Sequence, residues 1–282
     1  MPLSPPDPAL VRAAADAIGR AQAFLVAVGA GMGVDSGLPD FRGTEGFWRA
    51  YPPYQALGVR FEELANPASF ARDPAIGWGF YGHRLNLYRA TTPHDGFAIL
   101  RRWGEAKPEG AFVFTSNVDG HFQRAGFDAD RVYECHGSIH HLQCATPCDD
   151  VVWSADAANV VVDEATMRAA DPLPRCGACG GVARPNILMF GDGGWVEGRS
   201  AAQEARYRRW LAGVDPSAVV VVELGAGTAV PSVRYNSERL QARGATLVRI
   251  NPREPQGPRG TIGIAGGALA TLRAIDEAMR DR

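Results

Sequence analysis

Apolar residues in this chain fall into runs too continuous for a half-exposed strand. Ala21–Val28 is the clearest case, an unbroken run that stops where glycines begin at Gly29. Such a run reads as a strand buried on both faces, ending in a tight turn. Further runs of strand length lie at Ala111–Thr115, Arg131–Glu134, Asn186–Phe190, Ala218–Leu224, Thr246–Ile250 and Thr261–Ile264. Helical periodicity predicts an entry helix over Pro5–Gly19 and further helices over Gly96–Gly104, Arg199–Ala212, Val233–Arg243 and Gly267–Arg280. Strands alternating with helices predict an α/β fold, a Rossmann-like, mostly parallel sheet with helices on both faces.

Two stretches break the alternation. Phe41–Pro93 is aromatic and helical with no clear strand, and Gly137–Gly181 holds four paired cysteines. They read as insertions: a helical one at 41–93 and a small zinc-binding domain at 137–181. The Rossmann-like domain is then discontinuous, over 1–40, 94–136 and 182–282.

Composition narrows the class. The 282 residues, 46% hydrophobic and 21% charged, suit a globular chain. A net charge of -2 argues against direct nucleic-acid binding. No apolar run reaches the ~18 residues of a membrane helix, and the start lacks the charged and apolar regions of a secretory signal. The expected setting is cytoplasmic, with no membrane partner.

In a reducing compartment, paired cysteines read as metal ligands before disulfides. Cys144 and Cys148 are spaced C-x3-C; Cys176 and Cys179 are spaced C-x2-C within C-G-A-C-G-G. Four thiolates complete a tetrahedron and leave no position for water, which predicts one structural zinc ion. Cys135 is left over, a small buried strand residue beside His136.

The turn after the first strand reads G-A-G-M-G-V-D-S-G-L-P-D-F-R from Gly29 to Arg42. Glycines there permit close approach of backbone to phosphate. Asp40, Phe41 and Arg42 add an acid, a ring and a cation just beyond. A strand-to-helix turn without a ligand has the same glycines, and the G-x-G-x-G spacing departs from the dinucleotide fingerprint.

The segment resembles the first signature of the sirtuins, NAD-dependent protein lysine deacylases. Thr115–Gly120 (T-S-N-V-D-G) resembles their second signature. Glu134–Ser138 (E-C-H-G-S) resembles the segment bearing the catalytic histidine, and Arg184–Asp192 the substrate-side strand and loop. The cysteines lie between the last two, where sirtuins carry their zinc module. The resemblance implies that His136 is the general base, suited to moving a proton near neutral pH, that Asn117 holds ribose and a catalytic water, and that Asp119 holds the nicotinamide amide. It implies NAD as co-substrate, held by Gly29, Ala30, Gly31, Asp40, Phe41, Arg42, Ser116, Gly225, Ala226, Gly227 and Asn251. It implies an acyl-lysine protein or peptide as partner, touching Phe190 and Gly191, with release of nicotinamide and of O-acyl-ADP-ribose.

The departures matter. Gly33 stands where serine is common and Ser116 where glutamine is usual. Gly225-Ala226-Gly227 replaces Gly-Thr-Ser, and Asp192 replaces a frequent glutamate. Each hydrogen bond lost to NAD costs ~0.5–1.5 kcal/mol. Tyr81 and Arg84 form a Y-x-x-R pair, placed about where desuccinylating sirtuins carry one to bind a distal carboxylate; an amphipathic helix with a core tyrosine reads equally well. Two further readings stay open: NAD hydrolysis or ADP-ribosyl transfer on the same fold, and a non-catalytic NAD-binding module. The protein target, the preferred acyl group and the oligomeric state are not legible.

Overall fold

The computed structural model describes residues 5–39, 47–48, 51–56 and 58–281. Helix α1 (Pro8–Arg20) starts on Asp7, whose carboxylate caps the Ala9 N–H at 2.8 Å. It leads into β1 (Ala23–Val28), and a short 3-10 helix (Ala30–Ser36) follows. Helices α2 (Pro52–Ala56), α3 (Phe61–Leu64), α4 (Ala68–Arg72) and α5 (Pro74–Ala90) follow. Then come α6 (Gly96–Glu105), β2 (Ala111–Thr115), α7 (His121–Arg124) and β3 (Val132–Glu134). The cysteine region holds β4 (Gly137–Cys144), β5 (Trp153–Ser154), β6 (Val162–Asp163) and β7 (Arg168–Ala169), with β8 (Ala183–Ile187) after it. The chain closes with α8 (Gly198–Ala212), β9 (Val219–Leu224), α9 (Ser232–Gln241), β10 (Thr246–Ile250), β11 (Ile262–Ile264) and α10 (Ala268–Arg280).

The main sheet is six-stranded, in the order β11-β10-β9-β1-β2-β3, and every pair in it is parallel. Central β1 is buried along its whole length. Its Phe24, Val26 and Val28 join a core with α1, α6 and α10. Ala23, Leu25 and Ala27 join the opposite core with Tyr207 and Trp210 of α8 and Leu240 of α9. Helices on both faces explain why the strand is apolar at every position rather than at alternate ones.

The register matters for function. Val28 lies level with Thr115 of β2 on one side and Leu224 of β9 on the other. The chain leaves β1, β2 and β9 side by side at Gly29, Ser116 and Gly225. This is the carboxyl edge where such sheets bind ligands.

The strand expected at Asn186–Phe190 runs instead at Ala183–Ile187, and it joins a small antiparallel sheet, β5-β4-β8, rather than the parallel one. Apolar continuity misplaced it, because the observed strand carries Arg184, Pro185 and Asn186. Pro185 is tolerated because β8 is an edge strand, where its missing N–H faces away from β4. A third core joins Phe47, Tyr54 and Phe80 of the helical insertion to Ile139 and Leu142 of β4 and to Met167.

Helix α5 approaches this region through glycines. A Cβ on Gly79 would lie 1.9 Å from the Met167 carbonyl oxygen, and one on Gly82 would lie 2.4 Å from Val160 Cγ1. Gly→Ala inside a helix ordinarily stabilises by ~0.5–1 kcal/mol. Gly79→Ala is expected to do the opposite here and cost ~1–3 kcal/mol through overpacking. Urea unfolding measures the sign, and a stabilised variant would refute this packing.

Candidate active site

A cavity of about 450 Å³ opens at the carboxyl edge of the main sheet, between it and the helical insertion. Gly29, Ala30, Gly31, Ser116, Asn117, Asp119, His136, Gly225, Ala226 and Gly227 all line it. Tyr81, Arg84 and Phe190 line it from the other side. Gly191 and Asn251 do not; Asp40, Phe41 and Arg42 lie outside the described residues.

The two glycine loops meet backbone to backbone. Gly31 N donates to Gly225 O at 3.0 Å and Gly29 N to Leu224 O at 3.0 Å. Gly225 has φ +60°, and a Cβ there would lie 2.5 Å from Gly31 Cα. Only glycine fits that conformation and that contact. Ala226 O accepts from Arg234 Nε at 3.1 Å and from Asn251 Nδ2 at 2.9 Å. Asn251 Oδ1 takes the N–H groups of Arg253 and Glu254, each at 3.0 Å. The side chain expected on a ribose thus braces the loop that lines the cavity.

Two departures noted in the sequence acquire physical content. A Cβ on Gly33 would meet Leu38 Cδ1 at 3.1 Å, so that leucine fills the space a serine would need. At Gly227 a Cβ would meet nothing within 4 Å, leaving an open slot on the wall.

Asn117 follows β2. Its backbone N–H is held by Thr115 Oγ1 at 3.0 Å and its Nδ2 by Gly29 O at 3.1 Å. Asp119 is buried; its Oδ1 accepts the His121 N–H at 2.9 Å, and its carbonyl contacts the His140 ring at 2.9 Å. Burial pushes the Asp119 carboxyl up, opposed by the adjacent His121.

His136 stands two residues beyond β3, where several groups fix the backbone. The Glu134 carboxylate receives Arg199 and Gln203 of α8. Gln203 Oε1 accepts the Glu134 N–H at 3.1 Å, and Ser200 Oγ donates to Glu134 O at 3.2 Å. Cys135 N donates to Thr115 O at 2.9 Å, and Leu188 N to His136 O at 3.0 Å. Gly137, at φ +79°, then turns the chain into β4. The His136 Nε2 lies 3.2 Å from Ser232 Oγ, at the first residue of α9. Burial holds the imidazole below its usual 6.5, partly offset by the Ser116 backbone carbonyl. The ring is therefore neutral at pH 7, as a proton acceptor must be. Burial also pushes the neighbouring Cys135 thiol up to about 12, which makes it an inert packing residue.

Sequence reasoning did not reach Ser232, Arg199 or Gln203, nor Tyr88, Leu188 and Met189 on the cavity wall. Pro231 before Ser232 marks a helix start, but no local signal pairs that serine with a histidine 96 positions earlier.

On α5, Tyr81 and Arg84 are 1% and 8% exposed. Arg84 donates to the Tyr88 hydroxyl from Nε at 3.0 Å and from a terminal nitrogen at 2.5 Å, and its guanidinium lies 5.2 Å from the centre of the Phe80 ring. A cation so enclosed by rings on a cavity wall is a candidate anion contact.

A family model described as Sir2 matches residues 29–219, more than half of the chain. The chain belongs to the Sir2 family. It is 34% identical over 272 residues to NAD-dependent protein deacylase 2 of Pyrobaculum aerophilum, covering 94% of this chain and 95% of that one. It is 32% identical to NAD-dependent protein deacylase 1 of Pseudomonas aeruginosa, over 86% of this chain and 88% of the relative. Among solved structures, a Sir2 homologue mutant bound to ADP ribose matches with a TM-score of 0.74 at 26% identity, over 95% and 96% of the two chains. A Sir2 homologue–NAD complex matches at 0.69 and 25%, over 95% and 92%. Sir2 membership accounts for the parallel sheet and the cavity at its edge. Among the described residues, no helix is long and apolar enough to cross a membrane.

The cysteines complete the Sir2 pattern. Cys144 ends β4, and Cys176 and Cys179 lie in the turn before β8. All four Sγ atoms fall within 4.8 Å of one another, with Cys144–Cys179 and Cys148–Cys176 at 3.7 Å. A tetrahedral site with Zn–S of ~2.3 Å has sulfur–sulfur edges of about 3.8 Å. The cluster therefore fits zinc and offers it four protein ligands. Elemental analysis is expected to find one zinc per chain, and Cys176→Ser to lose it together with a lower Tm. Full zinc content or an unchanged Tm in that variant would contradict a structural role.

Proposed function

We propose that this protein removes acyl groups from lysine side chains at the expense of NAD. The observation that carries the reading is a half-buried His136, its imidazole held below the usual pKa, on the wall of the same cavity as Asn117, Asp119 and the two glycine loops. The names of its Sir2 relatives support it.

NAD, when bound, would supply a ribose that parts from nicotinamide and accepts the acyl group on a hydroxyl oxygen. The glycine loops carry no side chain that would keep its phosphates from the backbone. Asn117 orients ribose and water, and Asp119 accepts from the nicotinamide amide. His136 Nε2 would take the proton of a ribose hydroxyl as that oxygen bonds to the acyl carbon; the acyl carbon–nitrogen bond breaks with uptake of one water, and the lysine amine leaves. The acyl-lysine enters between Phe190 and the helical insertion. Free cysteines gathered as a metal site support a reducing, cytoplasmic setting.

A panel of acyl-lysine peptides with NAD tests this reading. O-acyl-ADP-ribose is expected by mass, and His136→Ala is expected to remove it. No turnover with any peptide, or equal turnover in His136→Ala, would sink the proposal. Nicotinamide release without peptide would favour NAD hydrolysis instead. Because the imidazole must be neutral and its pKa is lowered, kcat/KM should fall on the acid side with a midpoint below 6.5. An acid limb centred above 6.5 would contradict the burial of His136.

Arg84 beside Tyr81 supports an acyl chain with a distal carboxylate. A charge-assisted contact contributes ~1.5–3 kcal/mol, so Arg84→Met should cut kcat/KM for a succinyl or glutaryl peptide roughly ten- to a hundredfold. Acetyl-peptide turnover should change far less. Equal losses on both would count against acid recognition.

A further inference from the structure

Beyond Ile187 the chain leaves the small sheet as the loop Leu188–Gly194, and Leu188, Met189 and Phe190 line the cavity. Leu188 and Phe190 are 40% and 41% exposed, so burial of their own side chains does not hold the loop. Polar anchors do. Leu188 N is tied to the carbonyl of His136, and Phe190 N donates to Ala65 O at 2.9 Å in the helical insertion. Gly191, at φ +66°, turns the chain so that Asp192 points back inside.

The third anchor is a buried ion pair. Asp192 Oδ1 lies 2.8 Å from an Arg184 terminal nitrogen, with the two side chains 0% and 1% exposed. The same carboxylate accepts Gly194 N at 3.1 Å and Met189 N at 3.3 Å. Arg184 also donates to Ile187 O at 3.2 Å and to Gly194 O at 3.1 Å. Gln143 extends the network: its Nε2 donates to Gly194 O at 2.7 Å, and its Oε1 accepts Val196 N at 3.1 Å.

A buried ion pair is a poor device for stability alone, since apolar residues of similar volume often stabilise as well or better. Here both charges also hold loop backbone at Ile187, Met189 and Gly194. We infer that Arg184 and Asp192 are positioning residues for the acyl-peptide: they hold Leu188–Phe190 in the shape the substrate packs against. They set peptide affinity separately from NAD affinity, because the glycine loops are braced by other groups: Arg234 and Asn251 hold Ala226, and Asn117 holds Gly29. This inference rests on the deacylase reading.

The test compares wild type with Asp192→Asn and with the double variant Arg184→Met/Asp192→Leu. KM for acyl-peptide and for NAD are measured, together with amide exchange and Tm. Asp192→Asn should raise the peptide KM roughly tenfold or more and leave the NAD KM unchanged. Exchange at Leu188–Phe190 should quicken while Gly29–Gly31 stays as in wild type. The double variant removes the unpaired charge, so Tm should recover while the peptide KM stays raised. A wild-type peptide KM in the double variant, parallel shifts in both KM values, or unchanged loop exchange would overturn the inference. If wild type turns over no peptide, the deacylase reading falls instead, and the exchange data alone then decide whether the pair shapes the loop.

Discussion

Two loops reach backbone contact at the edge of the main sheet, and the rest of the active site depends on that contact. Gly29–Gly31 and Gly225–Gly227 touch because β1 and β9 are neighbours in parallel register and end level with each other. A side chain on Gly225 would drive the loops apart, since its Cβ would overlap Gly31. The floor of the cavity is therefore mostly main chain. A main-chain floor held by its own hydrogen bonds keeps a fixed shape and loses no side-chain entropy when a ligand arrives.

Opposite this floor, the structure places charge where water cannot reach. Arg184, Asp192, Glu134 and Asp119 are all buried, and each has hydrogen-bonding partners in the protein. Burying such groups is costly unless they are paired and hydrogen-bonded. Arg184 and Asp192 meet backbone groups at Ile187, Met189 and Gly194, and Glu134 meets the Arg199 and Gln203 side chains of α8. The aromatic core under the helical insertion has the complementary role. It is buried and packs α5 against β4 and Met167, and from α5 Tyr81 and Arg84 line the cavity.

Much of this was legible in the chain itself, for physical reasons that differ by residue. β1 was plain because both its faces are buried, which removes any need for alternation. The cysteines were plain because a tetrahedron of sulfurs demands close pairs. His136 and Asp119 were recognisable only through the motifs around them. Other features were hidden. β8 was misplaced because it carries an arginine, a proline and an asparagine, polar residues buried through their partners rather than by their own character. Asn251 sits at the expected strand end, yet both ends of its amide are used within the protein. Ser232 beside His136, and Arg184 beside Asp192, arise from folding, and no periodicity along the chain announces such pairs.

The position of His136 has a mechanical consequence. Its segment joins the last strand of the parallel sheet to the first strand of the small one, and its neighbours are bonded into both: Cys135 to Thr115, Gly137 opposite Ile187. If the two layers rock against each other as substrates enter and products leave, this crossing is close to the pivot. Displacement grows with distance from a pivot, so His136 would travel least while the walls around it travel most. A side chain at the fulcrum would keep its alignment through each such opening, while the cavity walls around it shift.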